Sequence, residues 1–375
     1  MVLRKLGVEE ELLLVDPKSR QLSAVAVRAV RAHAGSTGAP DPGHGTVAEV
    51  ENELFLQQIE TATPPCHTAD EVREHLRRGR RAVGEAADAA GARAVAMPTP
   101  VLADPDERFT PKPRYERIAD DYGELARQAL VCAMHVHVDV DGDEEGVAVI
   151  DRIRPWLPVL VALSANSPYW RGRDTGHASW RSQTWSRWPS AGPQEPFGDV
   201  GTYREVSARM LESGASLDSG MLYFDIRLSE SFPTVEVRVA DVCTEVDDAL
   251  LVSLLSRALV ETSARAWRAG EPVEAHRTDL LRTAAWRAGR YGLAGPLVHP
   301  VTQHVAPLRE VFAALLDHVR GALEEAGDES LVVDLFERAV ARGGGAAMQR
   351  SVLEANGDLT AVVDDLVRRT ERSWA

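Results

Sequence analysis

His135-Val136-His137-Val138-Asp139-Val140 and Val235-Glu236-Val237-Arg238-Val239 share one pattern, with valine at every second position and an ionisable residue at most of the others. Successive side chains of a strand point to opposite faces. Each stretch therefore predicts a strand with one apolar face on a core and one face of imidazole, carboxylate or guanidinium. Tyr223 to Ser229 repeats the pattern, with Phe224, Ile226 and Leu228 pointing one way and Asp225 and Arg227 the other. Three strands of this kind point to a metal and anion site rather than to an ordinary solvent face.

Working outward, Leu3 to Val15 reads as a strand, and Ala48 to Thr61 reads as another, ended by Pro64 and Pro65. Thr68 and Glu71 form a capping box that opens a helix running to about Gly91. A short strand near Ala92 to Met97 precedes a proline-rich loop, Pro98 to Pro113, and a helix over Tyr115 to Gln128. A helix from about Glu144 to Arg154 is interrupted by Pro155, and an apolar helix follows to Ala165. Ser167 to Gly201 is a long irregular segment rich in Trp, Arg, Gly and Pro, of the kind that usually carries function. A helix covers Tyr203 to Glu212, and the strands at 222–229 and 233–241 lie close enough to pair as a hairpin. From Glu245 the chain reads as helices over 245–269, 276–290, 304–326, 330–341 and 346–369, with Gly343-Gly344-Gly345 dividing the last two. Strands early and helices late predict an α+β fold, in a single domain over 1–375.

The 375 residues are 44% hydrophobic, enough for a sizeable core. A formal net charge of −15 argues against nucleic acid or an anionic membrane as partner. It leaves room for ATP, which a local arginine cluster with Mg²⁺ can hold. Cys66, Cys132 and Cys243 have neither zinc nor disulfide spacing, so a reducing cytoplasm is expected. Met1 to Leu6 lacks the apolar run of a signal peptide, and the longest apolar stretch, Trp156 to Ala165, is too short to span a bilayer.

Several residues on this framework could carry chemistry. Glu9 and Glu11 share a strand face, either as a solvated strand start or as hard oxygen ligands for Mg²⁺. Glu49, Glu51, Glu53 and Glu60 lie on the second strand. Glu53 and Glu60 are seven apart, so they share a face only if a bulge or bend intervenes, with Gln57 and Gln58 as possible places. His135 and His137 share a face as core histidines or as ligands; one imidazole among carboxylates suits Mg²⁺ or Mn²⁺ better than zinc. Glu236 and Arg238 lie behind three valines, where an unpaired charge is costly, so they either pair with Arg227 or Asp225 across the hairpin or act in catalysis. Arg171, Arg173 and Arg181 stand beside aromatics and could grip carboxylate or phosphate, or serve a structural loop. Arg342 to Ala346, followed by Gln349 and Arg350, could seat an anion at a helix N-terminus, but a plain helix–helix turn explains the glycines alone. There is no GxxxxGK[ST], no G-x-S-x-G and no dinucleotide fingerprint.

Together, GVEEELLLVDP (7–17), ELFLQQIETATPP (53–65), MHVHVDV (134–140), RPWLPVLVALSANSPYWRGRDTGHASWRS (154–182), DIRLSESFPTVEVRVADV (225–242) and RGGGAAMQR (342–350) resemble the carboxylate–amine ligase family related to type 2 glutamate–cysteine ligases. The resemblance implies a glutamine-synthetase-like fold, an antiparallel sheet shaped as a concave funnel, backed by helices, with a helical C-terminal third. It implies ATP with Mg²⁺ or Mn²⁺, with Glu9, Glu11, Glu53, Glu60, His135 and Glu236 as metal-site candidates. Arg238 would contact phosphate, and Arg227, His137, Arg171, Arg173 and Arg350 are further candidates for substrate or phosphate. Departures at Ala133, Asp139, Ala347, Met348, His177 and Trp180 bear on the acceptor pocket rather than on the metal set. The implied reaction is ATP-dependent joining of a carboxylate, glutamate or a similar amino acid, to an amine such as cysteine. Small-molecule substrates and a homo-oligomer are expected. Two rivals are a metal-dependent hydrolase using His135 and His137, and a catalytically silent protein that binds a nucleotide or amino acid.

Overall fold

The computed structural model describes residues 3–37, 50–103 and 107–375. Glu49, the expected strand start at Ala48 and the middle of the proline-rich loop lie outside them. The strands are β1 (Leu6–Val15), β2 (Glu51–Asn52), β3 (Gln58–Ala62), β4 (Arg93–Val95), β5 (Ala133–Asp139), β6 (Tyr169–Trp170), β7 (Arg173–Asp174), β8 (Ile226–Leu228), β9 (Thr234–Asp241), β10 (Leu297–Val298) and β11 (Val305–Ala306). The main sheet runs β2-β3-β1-β5-β9-β8, with β4 on the end of β1, and its pairs are antiparallel. β6–β7 and β10–β11 are separate two-residue ladders.

The helices are α1 (Ala26–Thr37), α2 (Ala69–Ala89), α3 (Pro113–Tyr122), α4 (Glu124–Arg127), α5 (Asp143–Ile153), α6 (Leu157–Ser164), α7 (Trp180–Trp185), α8 (Val200–Glu212), α9 (Val246–Arg268), α10 (Thr278–Tyr291), α11 (Leu308–Ala326), α12 (Glu329–Arg342), α13 (Gly344–Asn356) and α14 (Leu359–Arg372). Thr68 caps α2 with the reciprocal Glu71 contact, as the capping box predicts. Helices α2, α6 and α9 pack on the sheet, where Val136, Val138, Val235 and Val237 sit in the core beside Ile150, Val159, Leu250 and Leu254. No described helix is long and apolar enough to cross a membrane.

Three expected elements differ. Ala48 to Thr61 is not one strand: β2 turns back through residues 53–57 onto β3, pairing Glu51 with Glu60 and Asn52 with Ile59. The expected helix over Tyr115 to Gln128 is two, α3 and α4, because Gly123 takes φ 53°. The span 346–369 also splits, into α13 and α14, at Gly357 with φ 70°. Both breaks use the positive φ that glycine alone adopts cheaply. Helix α1 had no counterpart in the sequence reading.

The three successive glutamates of β1 divide by pleat. Glu9 and Glu11 face one side, while Glu10 faces α2, where Arg80 grips it through Nη2 at 2.5 Å and Nε at 2.8 Å. Both residues are fully buried, and Arg80 also donates to the carbonyls of Cys243 and Thr244. Arg80→Met is expected to cost about 3–5 kcal/mol, since it leaves a buried carboxylate unpaired. The urea midpoint measures this, and a paired Glu10→Leu/Arg80→Met change should cost far less.

Candidate active site

The polar face predicted for β1, β5 and β9 is continuous. Glu9 pairs with His135 in register, Glu11 with Glu60, and His137 with Glu236, which in turn pairs with Arg227. Between Met134 and Val136 the β5–β9 register shifts, so Arg238 and Val239 together oppose His135. Glu53 comes from the turn after β2. Release from a continuous strand resolves its odd spacing from Glu60.

These side chains line a cavity of about 320 Å³. Within it, ligand atoms of Glu9, His135 and Glu236 lie within 4.8 Å of one another, and so do those of Glu11, Glu53 and Glu60. His135 Nδ1 is 3.3 Å from Glu9 Oε2 and 3.7 Å from Glu236 Oε1. His137 belongs to neither triple; its Nε2 is 3.2 Å from Glu9 Oε1 and its Nδ1 is 3.0 Å from Thr234 Oγ1. Glu236 is held by Arg227 Nε at 2.7 Å and by Arg238 Nη1, so the cross-hairpin ion pair and the site are one arrangement. Ala133 N–H donates to Glu11 at 2.8 Å.

The two triples differ electrically. Burial raises the Glu236 carboxyl, but Arg238, Arg227 and the imidazoles outweigh it and hold it at about 2. Burial, with Arg238 beside it, pushes the His135 imidazole down to about 4, leaving it neutral with a lone pair to give. Burial and then Glu53 push Glu11 up to about 8. Burial and the carboxylates of Glu9, Glu53 and Glu11 push Glu60 well above the usual range. Such crowding is what a cation relieves. Five carboxylates and one imidazole form a hard donor set suited to Mg²⁺ or Mn²⁺, and His135 Nε2 is buried without a hydrogen-bond partner.

Below about pH 8, burial and Glu53 favour the protonated Glu11 in the cation-free fold, while the unfolded chain releases that proton near 4.5. Its folded pKa is raised, so stability falls as pH climbs from about 4.5 toward 8. Mg²⁺ is expected to reverse the fall, by about 2.7 kcal/mol at one hundred times its Kd. Thermal midpoints across that pH range, with and without Mg²⁺, measure both effects.

Arg171, Arg173 and Arg350 do not line this cavity. The β6–β7 turn is tied to the carbonyls of Pro100 and Val101 with Arg171 at φ 47°, which sends these guanidiniums elsewhere. Arg171 pairs with Glu107 at 2.6 Å, Arg350 grips Asp174 at 2.7 and 2.9 Å, and Arg173 is exposed. Gly343 to Gly345 form a close helix turn. A Cβ on Gly345 would fall 2.1 Å from Asn166 Oδ1.

Residues without a motif complete the walls. Arg114, bidentate to Asp218 at 2.6 and 2.8 Å, faces the Glu53 side with Tyr115. Trp185, Trp188 and Tyr223 form an aromatic wall, with Trp185 and Tyr223 centroids 4.5 Å apart. Asp241 accepts from Asn166 N–H, Ser167 Oγ and Ser179 Oγ, pinning the irregular segment to the end of β9. Asn166, Ser167, Ser179 and Asp241 lie inside the stretches quoted above, but no short pattern marks Arg114, Tyr115, Trp185 or Trp188, whose neighbours in space are remote in sequence.

Residues 5–367 match the family described as Glutamate-cysteine ligase family 2. A relative from Nocardioides sp. is 49% identical over 373 residues, covering 100% of this chain and 97% of its own length. One from Streptomyces avermitilis is 47% identical over 370 residues, covering 98% and 100%. Both carry the name "Putative glutamate–cysteine ligase 2-1". Among solved structures, the fold matches a glutamate–cysteine ligase from Francisella tularensis in complex with AMP. The TM-score is 0.69 at 14% identity, over 100% of this chain and 90% of that one. A bifunctional glutathione synthetase from Pasteurella multocida matches at TM-score 0.67 and 14% identity, over 99% and 53%. The fold and family define an ATP-dependent carboxylate–amine ligase. The chain belongs to glutamate–cysteine ligase family 2.

Proposed function

We propose that this ligase activates the carboxylate of glutamate, or of a similar amino acid, as an acyl phosphate and joins it to an amine such as cysteine. The supporting observation is the convergence of Glu9, Glu11, Glu53, Glu60, His135 and Glu236 in one cavity beside Arg238. The match over residues 5–367 supports a single catalytic domain. Three buried free cysteines suit a reducing cytoplasm.

A free carboxylate is a poor acylating agent because its leaving group would be oxide. Its oxygen attacks the γ-phosphorus of ATP, ADP leaves, and the acyl carbon gains phosphate as a leaving group. The amine then attacks that carbon and phosphate departs. Phosphoryl transfer needs positioning and charge neutralisation more than protein covalent chemistry, so no activated Ser or Cys is required.

The two triples would hold Mg²⁺ or Mn²⁺ ions, whose charge screens the phosphate oxygens. Arg238 is 6% exposed and supplies a fixed positive charge beside them. Arg227 and Arg238 together keep Glu236 ionised. Trp185, Trp188 and Tyr223 shield the acyl phosphate from water.

The hydrolase reading is disfavoured because His137 is engaged by Glu9 and Thr234, outside both triples. The test is ADP release across carboxylate and amine pairs with Mg²⁺. Ligation requires ATP and both substrates, whereas turnover without ATP would overturn the reading.

A further inference from the structure

Glu236, Glu11 and Glu53 each accept from a fixed donor: the two arginines, Ala133 N–H and Leu54 N–H respectively. Glu9 has neither a guanidinium nor a backbone N–H among the described residues, and its contacts are two imidazoles. Burial does not hold it either, since 27% of its side chain is exposed against 8% for His135 and 3% for Glu236. His135 belongs to the same triple and would give its own lone pair to a cation. His137 belongs to neither triple, and its Nε2 lies 3.2 Å from Glu9 Oε1.

The start of β9 holds His137 in turn. Its Nδ1 is 3.0 Å from Thr234 Oγ1, and the Phe232 ring stands edge-on to it at 6.3 Å. Thr234 is buried and its backbone is tied on both sides. Its N–H donates to the Phe232 carbonyl at 2.8 Å, and its carbonyl accepts from Ser229 N–H at 2.9 Å, closing the loop between β8 and β9. A hydroxyl fixed in this way can donate to a ring nitrogen, and a neutral imidazole then carries its hydrogen on the other one. Here the other one is Nε2, which faces Glu9. The opposite tautomer would set a lone pair against a carboxylate oxygen.

Resting on the ligase reading above and its metal site, we propose that Thr234 is a positioning residue: its hydroxyl fixes the tautomer and orientation of the His137 ring, and the ring holds Glu9 ready for a divalent cation. Thr234 does not line the cavity, so it acts only through His137.

The probe is Mn²⁺, followed by the electron paramagnetic resonance signal of the free ion over purified protein without nucleotide or amino acid. Thr234→Val keeps the shape of the side chain and removes the hydroxyl. It is expected to weaken Mn²⁺ binding roughly tenfold, the low end of the range for outer-shell losses at metal sites. The Mg²⁺ concentration for half-maximal ADP release should rise in step. Thr234→Ser keeps the hydroxyl and should restore both. In a His137→Gln background the hydroxyl has no ring to orient, so adding Thr234→Val should cost little more.

Unchanged Mn²⁺ affinity in folded Thr234→Val would overturn the proposal. So would a loss that Thr234→Ser does not restore, or one that adds in full to that of His137→Gln. Wild-type protein that binds no Mn²⁺ would overturn the metal assignment instead, and one that also releases no ADP would overturn the ligase reading. If Thr234→Val does not fold, Thr234→Ala against Thr234→Ser makes the same comparison.

Discussion

Glu236→Gln is expected to lower substrate-dependent ADP release by at least about 100-fold. The loss of an outer-shell partner alone costs about 10–100-fold at metal sites, and Glu236 is placed as a direct ligand that also anchors Arg227 and Arg238. The amide keeps the size of the carboxylate but removes the charge both arginines compensate. Some loss of stability therefore accompanies the kinetic loss, and far-UV circular dichroism with a thermal midpoint separates the two. Glu9→Gln provides a second reading, because its carboxylate contacts His135 and His137 rather than the arginines. Full activity in both variants, folded and saturated with Mg²⁺, would sink the metal assignment.

Arg238→Ala is expected to cost about 10²–10³-fold in kcat, the range for removing one preorganised electrostatic donor from a reacting centre. Arg238→Lys should recover only part of this, because a point charge replaces a planar fork. The substitution also acts on Glu236, whose carboxyl sits at about 2 chiefly through the Arg238 charge opposing burial. A depressed carboxylate stabilises the fold above its unfolded value and loses that contribution as pH falls through the folded one. Wild type should therefore lose this contribution progressively between about pH 4.5 and pH 2, and in Arg238→Ala the contribution should be smaller and gone at a higher pH. Denaturation midpoints in acid, compared between the two proteins, provide the check. Identical acid profiles would separate Arg238 from Glu236.

The sheet was legible where alternation is strict. Period-two valines placed β5 and β9, and the same parity exposed a conflict between Glu53 and Glu60 that required a bend, now seen as the turn over residues 53–57. The breaks at Gly123 and Gly357 were not legible, because a glycine in a helical pattern does not announce its φ. Arg171 and Arg173 stand beside aromatics, Arg350 follows a candidate helix N-terminus, and the family resemblance makes all three substrate or phosphate candidates, yet Glu107 and Asp174 draw Arg171 and Arg350 away. Arg181 stood in the same aromatic stretch but is buried under β9 through contacts that only the tertiary fold supplies. Arg238 pairs with Glu236 on its own strand rather than with Asp225 across the hairpin.

The proposed metal ligands span residues 9 to 236 and come from β1, the turn after β2, β3, β5 and β9. In an extended chain these carboxylates, the neighbours Glu9 and Glu11 aside, are too far apart to repel one another. Their mutual repulsion arises only when the long-range registers of the sheet close, a step late in any folding route dominated by non-local pairing. A divalent cation that relieves the repulsion therefore has little to hold earlier on the route. Its stabilisation falls on the unfolding rate, so bound metal lengthens the lifetime of the folded enzyme and leaves the speed of folding nearly unchanged.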